Sequence, residues 1–153
     1  MKAFHFPLES LRTLRQQREN IAQQHYARAL VACDGAARAL QLAEQELQAG
    51  QRLLVQELQT GAAAGRLLNL RTWCTVLEIR GHERAAALAE ARRVAGEALR
   101  QLTAAARARE ALDRFHDKAQ NLWQREFLAD EQKMFDELAV QRQSAGLDKS
   151  LLN

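Results

Sequence analysis

Thr60-Gly61-Ala62-Ala63-Ala64-Gly65 is the only real break in the chain between Leu8 and about Arg142. The sole proline, Pro7, sits ahead of this span, where a first helical turn tolerates its missing N–H. Alanine, leucine, glutamine, glutamate and arginine dominate on both sides of the break, the composition of long helices and coiled coils. This pattern predicts an all-α fold: one long antiparallel two-helix coiled-coil hairpin forming a single domain. Helix 1 is expected over about residues 7–59, the loop over 60–65 and helix 2 over about 66–143, with a frayed tail at 144–153. Gly35 and Gly50 weaken helix 1 by roughly 1 kcal/mol each relative to alanine and do not end it, because apolar periodicity continues past both.

The 153 residues are about one domain's worth of chain, but aromatics are only 5% of them, so the interior is a narrow seam rather than a broad core. On helix 1 the apolar stripe runs through Leu8, Leu11, Ala22 and Ala29, alongside Tyr26, Leu30, Cys33, Ala37, Leu40, Leu47, Leu54 and Leu58. Steps of three, four and seven are the rhythm of a two-helix seam. Ala29, Ala36 and Ala43 repeat every seven residues and are expected on the flank, where a partner helix can come close. The second stripe reads Leu70, Cys74, Leu77, then Leu88, Ala91, Ala95, Ala98, Leu102, Ala105, Leu112 and Ala119. Gly81 and Arg84 occupy stripe positions between its two parts, which predicts a thin stretch of seam.

Folding about residue 63 makes facing residues those whose numbers add to about 126. Cys33 and Cys74 are then roughly 30 Å out of step along a helix and cannot bridge within one monomer. Both are expected as buried free thiols. At 1.5 Å per residue the helices span roughly 75 Å and 110 Å, so helix 2 outruns its partner near residue 118. The overhang carries Leu122, Trp123, Phe127, Leu128, Met134, Phe135 and Leu138. That much apolar area needs cover. Three covers are open: the N-terminal Phe4 and Phe6, a second copy, or a different protein.

Catalytic chemistry finds no footing. His5, His25, His82 and His116 stand apart from one another, so no metal site is expected, and no catalytic residue or cofactor either. Gly61 to Gly65 is followed by Arg-Leu and joins two helices, which excludes a phosphate loop. The formal net charge is +3, and the middle of the chain is arginine-rich. Glutamates interrupt those arginines, as in Glu97–Arg100 and Glu110–Arg114, so Arg92, Arg93, Arg100, Arg107 and Arg109 are read as a solvated face, not a nucleic-acid site. No apolar run reaches the ~18 residues of a membrane span, and no signal-peptide run opens the chain.

Both ends carry a recognisable pattern. Phe4-x-Phe6-x-Leu8-Glu9-x-Leu11-x-x-x-Arg15-x-x-x-Glu19 resembles the start of the flagellar export protein FliJ family and its YscO-like relatives in virulence type III secretion. Glu131-Gln132-Lys133-Met134-Phe135-Asp136-Glu137-Leu138-Ala139 is similar to that family's closing segment. The resemblance implies a monomeric, non-enzymatic coiled coil for flagellum biogenesis and motility, cytoplasmic and peripherally associated with the inner membrane at the export apparatus. Implied partners are the hexameric export ATPase, the cytoplasmic domain of the export gate, and export chaperones. ATPase-ring binding then falls to Phe4, Phe6, Trp123, Phe127, Phe135, Asp136, Glu137 and Leu138. Gate binding falls to Leu70, Trp73 and Leu77. On helix 1, Ala43, Glu46 and Gly50 depart from the family's larger or aromatic groups at the gate-facing surface. A virulence-secretion stalk and a self-associating structural coiled coil are the alternatives.

Overall fold

The chain leaves helix α1 (Glu9–Thr60) through Gly61, whose φ of 73° lies in the left-handed region. The Ala62 amide donates to the Glu57 carbonyl at 3.1 Å, which satisfies a carbonyl that the helix end would otherwise orphan. Helix α2 (Ala64–Ser150) starts almost at once, with the Leu67 amide on the Ala63 carbonyl at 3.2 Å. The break is therefore shorter than the 60–65 loop expected, because Gly65 sits inside the first turn of α2 and only Gly61 needs a special backbone conformation.

The computed structural model describes residues 3–150, with side chains to Arg142. The α2 helix continues through Gly146 to Ser150, past the end expected near 143. One glycine in a helix costs about 1 kcal/mol, too little to stop it without a competing turn. The remainder of the predicted frayed tail, residues 151–153, lies outside the described residues.

The helices pack antiparallel, and their contacts divide the molecule into two compact units, Gln17–Ala106 and Met1–Gln16 with Arg107–Asn153. In the first unit, Glu46 pairs with Arg80, and Gly50 lies against Cys74 and Leu77. In the second, Arg12 pairs with Asp113. All of these are within two of the expected register sum.

Within the Gln17–Ala106 unit the inward row of α1 alternates large and small. Tyr26, Cys33, Leu40, Leu47 and Leu54 are half-buried, and Ala29, Ala36, Ala43 and Gly50 interleave with them. Ala29 and Ala43 are buried outright, so the alanine row belongs to the seam and not to its flank. Leu30 and Leu58, expected in the seam, are 47% and 58% exposed. They lie one residue beyond the rows of Ala29 and Glu57. Adjacent apolar residues leave the phase of a stripe open, and a close helix pair takes the smaller one inside. Ala29 joins Ala95 and Ala98 in the small-residue core, with Tyr26 packed against it. Cys74 is buried, whereas Cys33 is only half-buried; both thiols are free. At the thin stretch Gly81 is half-buried and Arg84 turns out to solvent.

Candidate protein-binding surfaces

Two surfaces stand out, one in each unit. In the unit of the two chain ends, the lead-in before α1 has no regular structure, yet Phe6 is only 4% exposed. Its ring meets the His116 ring edge-on at 5.0 Å and the Phe115 ring at 5.8 Å. Phe4 packs on His116 at 5.6 Å and on Trp123 at 5.9 Å, and Trp123 in turn meets Phe127 at 5.3 Å. Such pairs add to ordinary area burial through the ring quadrupole. The N-terminal phenylalanines thus cover the first part of the predicted overhang. His116, read as isolated in the sequence, is the ring that both of them share. No spacing within the sequence could have revealed it, because the contact joins residues more than a hundred positions apart.

An ion-pair cluster holds the same unit in register. Asp113 accepts from Arg12 Nε at 2.7 Å and from Arg109 Nη1 at 2.6 Å. The hydrogen bond from Arg12, with help from Arg109, draws the Asp113 carboxyl below its usual range, and the same contact raises Arg12. Leu11, expected in the stripe, sits at the edge of exposure, and the half-buried Arg12 takes the seam position.

Beyond Phe127 the apolar residues have no cover among the described residues. Leu128 is 62% exposed, Phe135 65%, and Met134 and Leu138 both 48%. Their spacing continues the three-and-four rhythm of α2, so they form one face. Glu131 lies within this face, Asp130 and Asp136 flank it, and Glu126 and Glu137 lie toward the far side of the helix, with Lys133 the lone basic residue between Arg125 and Arg142. The face is apolar and acidic together. Of the eight residues assigned to ring binding, Phe4, Phe6, Trp123 and Phe127 are brought together in the aromatic cluster, and Phe135, Asp136, Glu137 and Leu138 lie in the uncovered stretch.

The second surface lies near the turn. Leu77 is the most deeply buried large side chain, at 2% exposure, and Leu70 is half-buried. Both belong to the seam. Trp73 is the residue of that trio presented to solvent, 49% exposed. The Arg80 guanidinium lies 5.9 Å from its ring centroid and also contacts Glu46 at 3.1 Å. On the other side of the seam, Leu54, Leu58, Leu67 and Leu68 line an open groove.

The arginine face is paired as its spacing suggested. Arg93 contacts Glu90 at 2.8 Å, Arg100 contacts Glu97 at 2.6 Å, and Arg114 lies 3.9 Å from Glu110. Among the described residues no three His, Cys, Asp or Glu side chains converge on a common point, and no helix is long and apolar enough to cross a membrane.

The fold is a hairpin of two long helices, with an aromatic cluster joining Phe4 and Phe6 to the far part of α2. The model of the flagellar FliJ protein family matches residues 4–146. This chain belongs to the FliJ family. The match begins at Phe4 and contains both terminal motifs, so it covers nearly the whole FliJ-type hairpin. Membership makes the chain a flagellar-export-type protein, connected with protein export and motility. No individual curated protein and no solved structure matches it.

Proposed function

We propose that this FliJ-family protein acts by binding alone, docking the acidic apolar face of α2 into the hexameric export ATPase and favouring the assembled ring. The observation that carries the reading is the uncovered stretch from Leu128 to Leu138 on a helix whose preceding Trp123 is already packed against the chain's own Phe4. A ligand that binds only the assembled state stabilises it by mass action. The acidic rim favours an acceptor with basic walls. It also disfavours a second copy, since antiparallel pairing about residue 133 brings Asp130 near Glu137 and Glu131 near Asp136. The protein therefore works as a monomer. Phe6, buried against Phe115 and His116, stays outside the contact, which Phe135, Asp136, Glu137 and Leu138 make.

Trp73 supports a second contact, with the cytoplasmic domain of the export gate, made from α2 with Leu70 and Leu77 as its footing. Delivery of export chaperones and peripheral placement at the inner membrane complete the reading. The deciding experiment is ATP hydrolysis by the export ATPase with wild-type protein and with Phe135→Ala/Leu138→Ala. Loss of stimulation at unchanged helicity supports ring docking through this face; full stimulation by the double variant removes it.

A further inference from the structure

The α1 side of the Trp73 surface supplies no large side chain. Gly50 is buried there, and a Cβ built on it meets Leu77 Cδ1 at 3.2 Å, Cys74 Sγ at 3.4 Å and Trp73 Cδ1 at 4.0 Å. A Cβ at position 50 would crowd Leu77 and stand in van der Waals contact with the edge of the indole, so the glycine lets α2 close on α1 beside Trp73. On α2, Trp73 and Arg80 are seven residues apart and share a face. On α1, Glu46 and Gly50 are four apart and share another. Arg80 lies against the indole at 5.9 Å and reaches across to Glu46 at 3.1 Å.

We infer that Gly50, Arg80 and Glu46 are positioning residues that hold the Trp73 indole against α1 as a fixed aromatic platform. The glycine lets Leu77 and Cys74 seat against α1 with the indole edge beside them, the guanidinium lies over the ring, and the carboxylate restrains the guanidinium. Because Glu46 and Arg80 neutralise one another, the platform offers an apolar surface without net charge, suited to an uncharged apolar side chain of the partner. The small residue at position 50 then has a physical role: Leu77 and Cys74 close on it from the opposite helix, which brings the edge of the Trp73 indole against α1. A ring held in place before binding loses less rotamer freedom on contact, which is where the affinity gain comes from.

This inference rests on the gate-binding reading of Trp73. The test uses full-length wild type, Trp73→Ala, Arg80→Ala, Glu46→Ala and Gly50→Leu, titrated with the purified cytoplasmic domain of the export gate. Acrylamide quenching isolates Trp73 by difference from Trp73→Phe versions of the same proteins. Arg80→Ala and Glu46→Ala are expected to make Trp73 more quenchable and to weaken binding about two- to fivefold, the range of an exposed cation–π contact. Gly50→Leu should displace the ring and weaken binding further, and the alanine pair keeps the test valid if that variant fails to fold. Wild-type quenching and affinity in Arg80→Ala and Glu46→Ala, with Trp73→Ala defective, would overturn the positioning role while leaving the gate reading intact. Wild-type affinity in Trp73→Ala would overturn both.

Discussion

Adding one methyl group at Gly50 is expected to change the sign of its effect according to what stands at position 77. In the wild-type protein Gly50→Ala gains about 1 kcal/mol of helix propensity. It also sets a Cβ 3.2 Å from Leu77 Cδ1 and 3.4 Å from Cys74 Sγ, in a seam where Leu77 is 2% exposed and has little room to retreat. Overpacking of that kind costs about 1–3 kcal/mol, so the net change is a loss of up to about 2 kcal/mol. Leu77→Ala alone removes the best-buried large side chain and leaves a void facing a glycine. With no side chain on Gly50 to move into the gap, the cost belongs in the upper half of the ~2–5 kcal/mol range for such truncations. At roughly 2–4 °C per kcal/mol for a chain of this size, the melting temperature falls by about 10 °C. In the Leu77→Ala background the 3.2 Å contact is gone and the new methyl occupies part of the void. Gly50→Ala should then stabilise by about 1 kcal/mol or more. Thermal unfolding followed by far-UV circular dichroism on the four proteins of the cycle gives the coupling energy. Additive effects, or a stabilising Gly50→Ala in the wild-type background, would refute the close approach of the two helices at this point.

Phe6→Ala should release the lead-in from His116 and Phe115, making Trp123 more accessible to acrylamide, yet lower the melting temperature less than Leu77→Ala because residues 3–8 stand outside both helices. Replacing Phe127 and Phe135 together with alanine should abolish stimulation of the export ATPase without altering helicity; retained stimulation in a coupled hydrolysis assay would contradict ring docking through this end of α2. The Asp113 carboxyl is held below its unfolded value by Arg12, so its contribution is present above the unfolded pKa of about 3.9 and is lost as pH falls through the lower folded value. Asp113→Asn should therefore flatten the acid side of the stability profile, and an unchanged acid limb in a melting series from pH 2 to 6 would count against it. Arg100→Ala, which removes an exposed pair with Glu97, should leave the melting temperature close to wild type by the same measurement.

The two-helix plan was legible because it depends on local grammar. A chain without proline from Leu8 onward, and with helix formers throughout, has one place to turn, and Gly61 supplies the left-handed residue that a helix end needs. Once the turn is placed, antiparallel register follows from counting, and the ion pairs and the Gly50 contact fall close to it. The family motifs at both ends were legible because each is a short run of neighbouring residues, Phe4 to Glu19 and Glu131 to Ala139.

Three features depended on the packed structure. The choice between Ala29 and Leu30 as the inward residue turns on how close the helices approach, which neighbouring apolar letters do not encode. The cover on Trp123 comes from Phe4, more than a hundred residues away, so local periodicity could only show that cover was needed. The accessibility of Trp73 was also undecided, since it stands between Leu70 and Leu77, which spacing places in the seam stripe. Packing against Gly50 draws Leu77 into the seam and leaves Trp73 half outside, because a position without a side chain on α1 can take the leucine and only the edge of the indole.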